Sequence, residues 1–236
     1  MRRSHTALMI GVSVVALCVL AGGIWLGRAV PEMPQLSGER ATRAYDVADF
    51  ERLDVRGQWQ VAVTRGDAWR VELSYPVEIE ERVEVLVENR RLTLRYSAER
   101  GWWSDFGNRE ELRMSATIVM PMLDELELAG APALSFSGFS GPDLEISSSG
   151  ASSIEGRDSR YDELDLELSG AGAADLSGVT VTDAHLEISG AFRVTLRMAG
   201  GDLTGDVSGA SAVEYYGSVR TQRIDASGVT RVQQLD

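Results

Sequence analysis

Residues 166–191 read LELSGAGAADLSGVTVTDAHLEISGA, and this stretch decides the fold because it contains nearly the same six-residue motif twice, 20 residues apart. The glycine of that motif recurs through the C-terminal half of the chain at separations of 20, 20, 20, 19 and 19 residues. A fixed short period indicates that each repeat forms one structural unit, which stacks on its neighbours. The six glycines are Gly130, Gly150, Gly170, Gly190, Gly209 and Gly228.

The residues around each glycine alternate between apolar and polar, which is typical of strands that bury one face. Positions two and four before the glycine are apolar in every repeat except at Ser148 and Gly205. We therefore predict that residues 124–236 form a parallel β-helix, or β-solenoid, of about 20 residues per coil, with coils about 4.8 Å apart. The glycine is expected to let the backbone bend, or adopt a positive φ, where a Cβ would clash. The inward column four residues after the glycine comprises Leu134, Ile154, Ala174, Val194, Val213 and Val232.

Residues 45–123 also alternate between apolar and polar, but without a fixed repeat. Trp59, Val61 and Val63 form one such run, and Gly57 is one of the residues that separate the runs. The pattern predicts an N-terminal part made of half-buried strands. Only residues 77–88 are compatible with a helical period.

The N-terminus resembles a membrane anchor. Residues 1–5 are basic, and residues 6–27 are uncharged and apolar, which is long enough for a helix to span a bilayer. The positive-inside tendency places residues 1–5 in the cytoplasm and the residues after the anchor outside it. Residues 28–44 form a linker between the anchor and the exported part. A signal peptide cleaved near Ala29 is the alternative. Cys18 is interpreted as a membrane-buried thiol, because Leu17 replaces the small residue that a lipidation signal requires.

The composition excludes several classes of protein. The 236 residues include 23 Arg, no Lys and 36 Asp or Glu, for a formal net charge of -13. This charge argues against nucleic acid as a partner, because phosphate binding needs a basic surface. The single cysteine excludes an internal disulfide framework and a Cys-rich zinc site. His185 is the one exported histidine, predicted to face outward, so a His-based catalytic dyad is not expected.

The order of these features resembles the GIN-domain family, the head domain of auto-transporter adhesins and cell-envelope proteins. The resemblance covers roughly residues 45–236 and rests on the basic apolar leader, the alternating strands, the sequence VMPMLDELEL at residues 119–128 and the repeats at residues 166–171 and 186–191. It implies a right-handed, single-stranded parallel β-helix in a bacterial envelope protein, and it supplies no site residues. Together with the anchor, it predicts a single-pass inner-membrane protein whose C-terminal domain lies in the periplasm or outside the cell.

A column of acids is the most informative candidate site. Three residues before the repeat glycines lie Glu127, Ser147, Glu167, Glu187, Asp206 and Asp225, at an odd and therefore outward position. Carboxylate oxygens are the ligands that Ca²⁺ prefers, so Glu167, Glu187, Asp206 and Asp225 form a candidate divalent-cation ladder. The alternative is a solvated charged face that prevents aggregation. No other cofactor is predicted.

A second candidate is the loop at residues 101–107, GWWSDFG. If exposed, Trp102, Trp103 and Phe106 would contact a partner, because aromatic residues are enriched at binding hot spots. If buried, they would cap the open end of the stacked repeats.

The sequence therefore predicts a non-enzymatic, membrane-anchored scaffold for interaction or adhesion outside the cytoplasm. Its ligand, a protein or a glycan, is not identified, and a homo-oligomer stays open. The alternative is a carbohydrate-active β-helix enzyme, which a groove with two or three carboxylates beside an Arg would favour.

Overall fold

Alternation of apolar and polar residues produces fifteen strands in one sheet in the computed structural model, which describes residues 37–96 and 113–236. A short 3₁₀ helix at Val77–Arg82 lies between the fourth and fifth strands. The strands are β1 (Arg40–Tyr45), β2 (Arg52–Gly57), β3 (Trp59–Arg65), β4 (Arg70–Pro76), β5 (Val83–Glu88), β6 (Arg91–Tyr96), β7 (Met114–Met120), β8 (Glu125–Gly130), β9 (Ala133–Ser137), β10 (Ser140–Arg157), β11 (Ser159–Ala199), β12 (Asp202–Gly209), β13 (Ala212–Ser218), β14 (Thr221–Ala226) and β15 (Arg231–Gln234).

The repeats pair in parallel through their glycines. Strand β10 pairs with β8 and β11 so that Gly150 lies between Gly130 and Gly170, and Gly190 of β11 pairs with Gly209 of β12. Gly170 has a φ of +117°, and a Cβ on it would lie 2.2 Å from the carbonyl oxygen of Gly150. The prediction that this position requires glycine is therefore confirmed: the backbone has a positive φ, and a Cβ would clash with the neighbouring strand.

Strands from the N-terminal part join the same columns. Strand β2 pairs in parallel with β8, with Gly57 beside Gly130, and β3 pairs in parallel with β9. Gly57 also has a positive φ, +114°, so the glycine column begins there. The sequence did not reveal this because Gly57 precedes Gly130 by 73 residues, far outside the repeat period.

Three pairings among the N-terminal strands are antiparallel. Strand β4 lies between β1 and β7 and is antiparallel to both, and β5 is antiparallel to β6. Residues 77–88, which we expected to be compatible with a helix, are one 3₁₀ helix followed by strand β5. Burial of Ile79 within the 3₁₀ helix and half-burial of alternate valines in β5 explain the ambiguous pattern.

The predicted architecture of the exported part, a single-stranded right-handed parallel β-helix, is wrong. One mixed sheet of parallel and antiparallel strands forms a nearly closed, barrel-like fold. The period of two correctly indicated which side chains face inward. It carries no information on how strands distant in sequence pair, and those pairings decide the class.

The inward columns form the hydrophobic core. Leu134, Ile154 and Val194 are buried as predicted, whereas Val232 at the last repeat is only partly buried. Ser148, an exception in the pattern, is also buried, and its Oγ lies 2.6 Å from Ser152 Oγ across the bend at Gly150. This hydrogen bond satisfies both buried hydroxyls.

No helix within residues 37–96 and 113–236 is long and apolar enough to cross a membrane. The predicted anchor at residues 6–27, Cys18 and the alternative cleavage position near Ala29 lie outside the described residues. The aromatic loop at residues 101–107, with Trp102, Trp103 and Phe106, also lies outside them. The anchor, the cleavage position and the role of this loop therefore stay predictions.

Candidate interaction face

Strand alternation places the predicted acids on the surface. Leu166, Leu168, Leu186 and Ile188 point into the core, so the residues between them point outward. The parallel register between β11, β12 and β14 aligns Glu187, Asp206 and Asp225 on neighbouring strands, about 4.8 Å apart per step. All of these acids and Glu167 are exposed.

Three of the acids and three serines line one shallow depression of about 420 Å³. We call this set the serine–carboxylate face. The serines stand two residues after each acid, so one column of hydroxyls runs beside one column of carboxylates. The face comprises Glu167, Ser169, Glu187, Ser189, Asp206 and Ser208.

Arginines neutralise the other end of the same acidic column, where Asp54 of β2 pairs in register with Glu127 of β8. Arg56 Nε donates to Asp54 Oδ1 at 2.9 Å, and Asp54 is 3% exposed. Arg91 forms ion pairs with both Glu125 and Glu127 of β8, the latter at 3.1 Å. Strands β2 and β6 supply these arginines because they pair on that side of β8.

No arginine pairs with the serine–carboxylate face within the described residues. The His185 ring lies beside this face, with its Nε2 3.6 Å from Glu187 Oε1 and its Nδ1 3.2 Å from Thr204 Oγ1. The His185 side chain is 45% exposed, which confirms its predicted outward position. The acidic column therefore has a compensated end and an uncompensated end.

At the uncompensated end, the carboxylates lie in one line that crosses the neighbouring strands. Across residues 37–96 and 113–236, no three His, Cys, Asp or Glu side chains are grouped so that they could hold a metal ion. The structure aligns the candidate ladder residues Glu187, Asp206 and Asp225 by register and brings Glu167 into the same depression as Glu187 and Asp206. The Ca²⁺ site itself stays a prediction.

An ionic cluster at the start of β2 was not predicted. The Glu51 side chain is buried and pairs with Arg90, while the Asp124 backbone N–H donates to the Glu51 carbonyl oxygen at 2.9 Å. Burial, and next the charge of Glu51, raise the pKa of Asp124. Residues 51, 90 and 124 are too far apart in sequence for any periodic signal to connect them.

Comparison with known proteins decides the family. A family model described as "Putative auto-transporter adhesin, head GIN domain" matches residues 49–190. The chain belongs to the GIN-domain family. The resemblance drawn from the sequence is thereby confirmed. No curated protein matches this GIN domain.

Solved structures share its fold. A crystal structure of a "putative adhesin" from Bacteroides fragilis is 15% identical, with a TM-score of 0.58, and the match covers 86% of this chain and 100% of that one. A "putative lipid binding protein" from Parabacteroides distasonis is 15% identical, with a TM-score of 0.50 and coverage of 84% and 98%. A "putative adhesin" from the same species is 13% identical, with a TM-score of 0.50 and coverage of 85% and 98%. At these identities, the likeness extends to the fold alone.

Proposed function

We propose that this GIN domain is a non-enzymatic interaction module of the cell envelope that binds a cationic partner on its serine–carboxylate face. The observation that carries the proposal is the contrast within one acidic column. Arginines compensate Asp54 and Glu127 at one end, whereas Glu167, Glu187 and Asp206 have no arginine partner among the described residues.

The chemistry of the face suits a cationic chain. Carboxylates about 4.8 Å apart repel each other, and a partner that brings ammonium or guanidinium groups relieves this repulsion. The parallel column of serine hydroxyls adds hydrogen-bond donors and acceptors along the same line. A basic protein segment supplies complementary groups for both columns, and its charge would also steer its approach to a protein of net charge -13.

The enzymatic alternative is not supported as well. We expected a carbohydrate-active enzyme to show clustered carboxylates beside an arginine. The depression does gather three carboxylates, but no arginine among the described residues lines it. The family model and two of the three structural neighbours are described as adhesins, and the third as a lipid binding protein, which also favours a binding role.

The location of the module follows the sequence prediction. We propose that residues 6–27 hold the protein in the inner membrane and that the GIN domain lies beyond it. The protein should then fractionate with membranes and keep its N-terminus. Sequencing of a mature protein that begins near Val30 would contradict the anchor and indicate a secreted domain.

Binding can be measured with a fluorescent hexalysine peptide by anisotropy. The variant Glu167→Gln/Glu187→Gln/Asp206→Asn should bind the peptide about tenfold more weakly than the parent protein. A matched control, Asp158→Asn/Asp162→Asn/Glu163→Gln, removes the same number of charges from exposed positions outside the face and should bind as the parent does. Equal losses in both variants would show that net charge alone attracts the peptide, and would refute the proposed face.

A further inference from the structure

The sheet has an open edge at its C-terminal end. Within the described residues, β14 pairs only with β12, and β15 pairs only with β13. The apolar interior is incompletely covered there, because Ile224 and Val232 are only partly buried and Val229 is 83% exposed. An uncovered strand edge of this kind is a template for pairing with another strand.

The free hydrogen-bonding groups of this edge can be assigned. The Ser227 N–H donates to the Val207 carbonyl oxygen at 2.9 Å, so odd-numbered residues of β14 direct their backbone groups toward β12. Backbone direction alternates along a strand, so Gln222, Ile224 and Ala226 direct theirs to the open edge. These three residues define the registers that an added strand can take.

We propose that a second copy of this chain pairs with the edge through an antiparallel β14–β14 contact centred on Ile224. In this register, Ile224 of each copy faces its symmetry mate as a hydrogen-bonded pair, and Gln222 faces Ala226 in the same way. All three free backbone positions are then used. The two Ile224 side chains also extend the core across the contact.

Charge complementarity selects this register. Centring on Ile224 places Arg223 of one copy opposite Asp225 of the other, twice, in the non-hydrogen-bonded pairs where side chains approach most closely. Centring on Arg223 or on Asp225 would place like charges opposite each other. Neither Arg223 nor Asp225 forms an ion pair with any other described residue. Asp225 lies beside Asp206 of β12, and the two carboxylates repel each other. An arginine from a second copy would relieve this repulsion.

The contact can be tested by sedimentation velocity of the full chain, purified in a mild detergent, over a range of concentrations. The parent protein should form dimers. Arg223→Asp and Asp225→Arg should each raise the dimer dissociation constant by about tenfold, because each places like charges opposite one another in both pairs.

Mixing the two variants provides the decisive control. An Arg223→Asp chain and an Asp225→Arg chain are complementary, so an equimolar mixture should recover dimerisation, which also shows that both variants are folded. Arg160→Asp changes the charge equally at an exposed position far from the edge and should dimerise as the parent does. A monomeric parent protein, or a dimer that neither variant weakens, would overturn the proposal.

Discussion

At the scale of single residues, the repeat glycines have the most stringent requirement. Gly170 combines a positive φ with the close approach to the Gly150 carbonyl oxygen, so Gly170→Ala should destabilise the fold by roughly 2–4 kcal/mol. Gly38 also has a positive φ, but a Cβ added to it would meet nothing within 4 Å, so Gly38→Ala should cost only about 1 kcal/mol. Thermal unfolding measures the stability of the two variants. Equal losses of stability would show that the close approach of Gly170 to the Gly150 carbonyl oxygen is unimportant.

Asp124 provides a pH-dependent prediction at the same scale. Its raised pKa means that the folded protein binds this proton more tightly than the unfolded chain, so the ionised carboxylate destabilises the fold at neutral pH. Asp124→Asn should therefore raise the melting temperature at pH 7 by roughly 1–3 °C. This gain in melting temperature should disappear as the pH falls below the pKa of Asp124 in both the folded and the unfolded state, because the aspartate of the parent protein is then neutral as well. A gain that persists at pH 3 would contradict this electrostatic cause.

At the scale of elements, the inward column tests the register. Val194 is fully buried, and Val194→Asp would leave an unpaired charge in the core, at a cost on the order of 3–5 kcal/mol. Ser153→Asp is the control, because Ser153 is exposed beside the buried Ile154. Thermal melts should separate the two variants clearly. If Val194→Asp melts like the parent, the register is wrong.

The acidic column makes a separate prediction about salt. Stacked carboxylates destabilise the folded state, so NaCl should raise the melting temperature by screening their repulsion. The ladder carboxylates lie in one line across neighbouring strands, about 4.8 Å apart, and not around a common centre, so Ca²⁺ at equal ionic strength should raise the melting temperature no further. A Ca²⁺-specific rise that is lost in Glu187→Gln/Asp206→Asn would instead assign the candidate cation ladder.

At the scale of the whole molecule, the sequence predicted local alternation well and distant pairing poorly. The repeat glycines and the inward column from Leu134 to Val213 follow from periodicity, because each signal lies within one repeat or its neighbour. The pairing of Gly57 with Gly130 and the antiparallel strands carry no period, so the predicted fold class was wrong. The acids were predicted as one column, and only the pairing of β2 and β6 beside β8 shows which of them are compensated.

The central claim, that the serine–carboxylate face binds a cationic partner, is tested most directly by locating the bound peptide. The chain contains no lysine, so a carbodiimide can join hexalysine amines to protein carboxylates without forming lysine cross-links within the protein. Mass spectrometry of the digested product then identifies the joined residues. We predict that the peptide is coupled chiefly to Glu167, Glu187 and Asp206. Coupling spread evenly over the exposed acids, or concentrated at Asp158, Asp162 and Glu163, would contradict the claim.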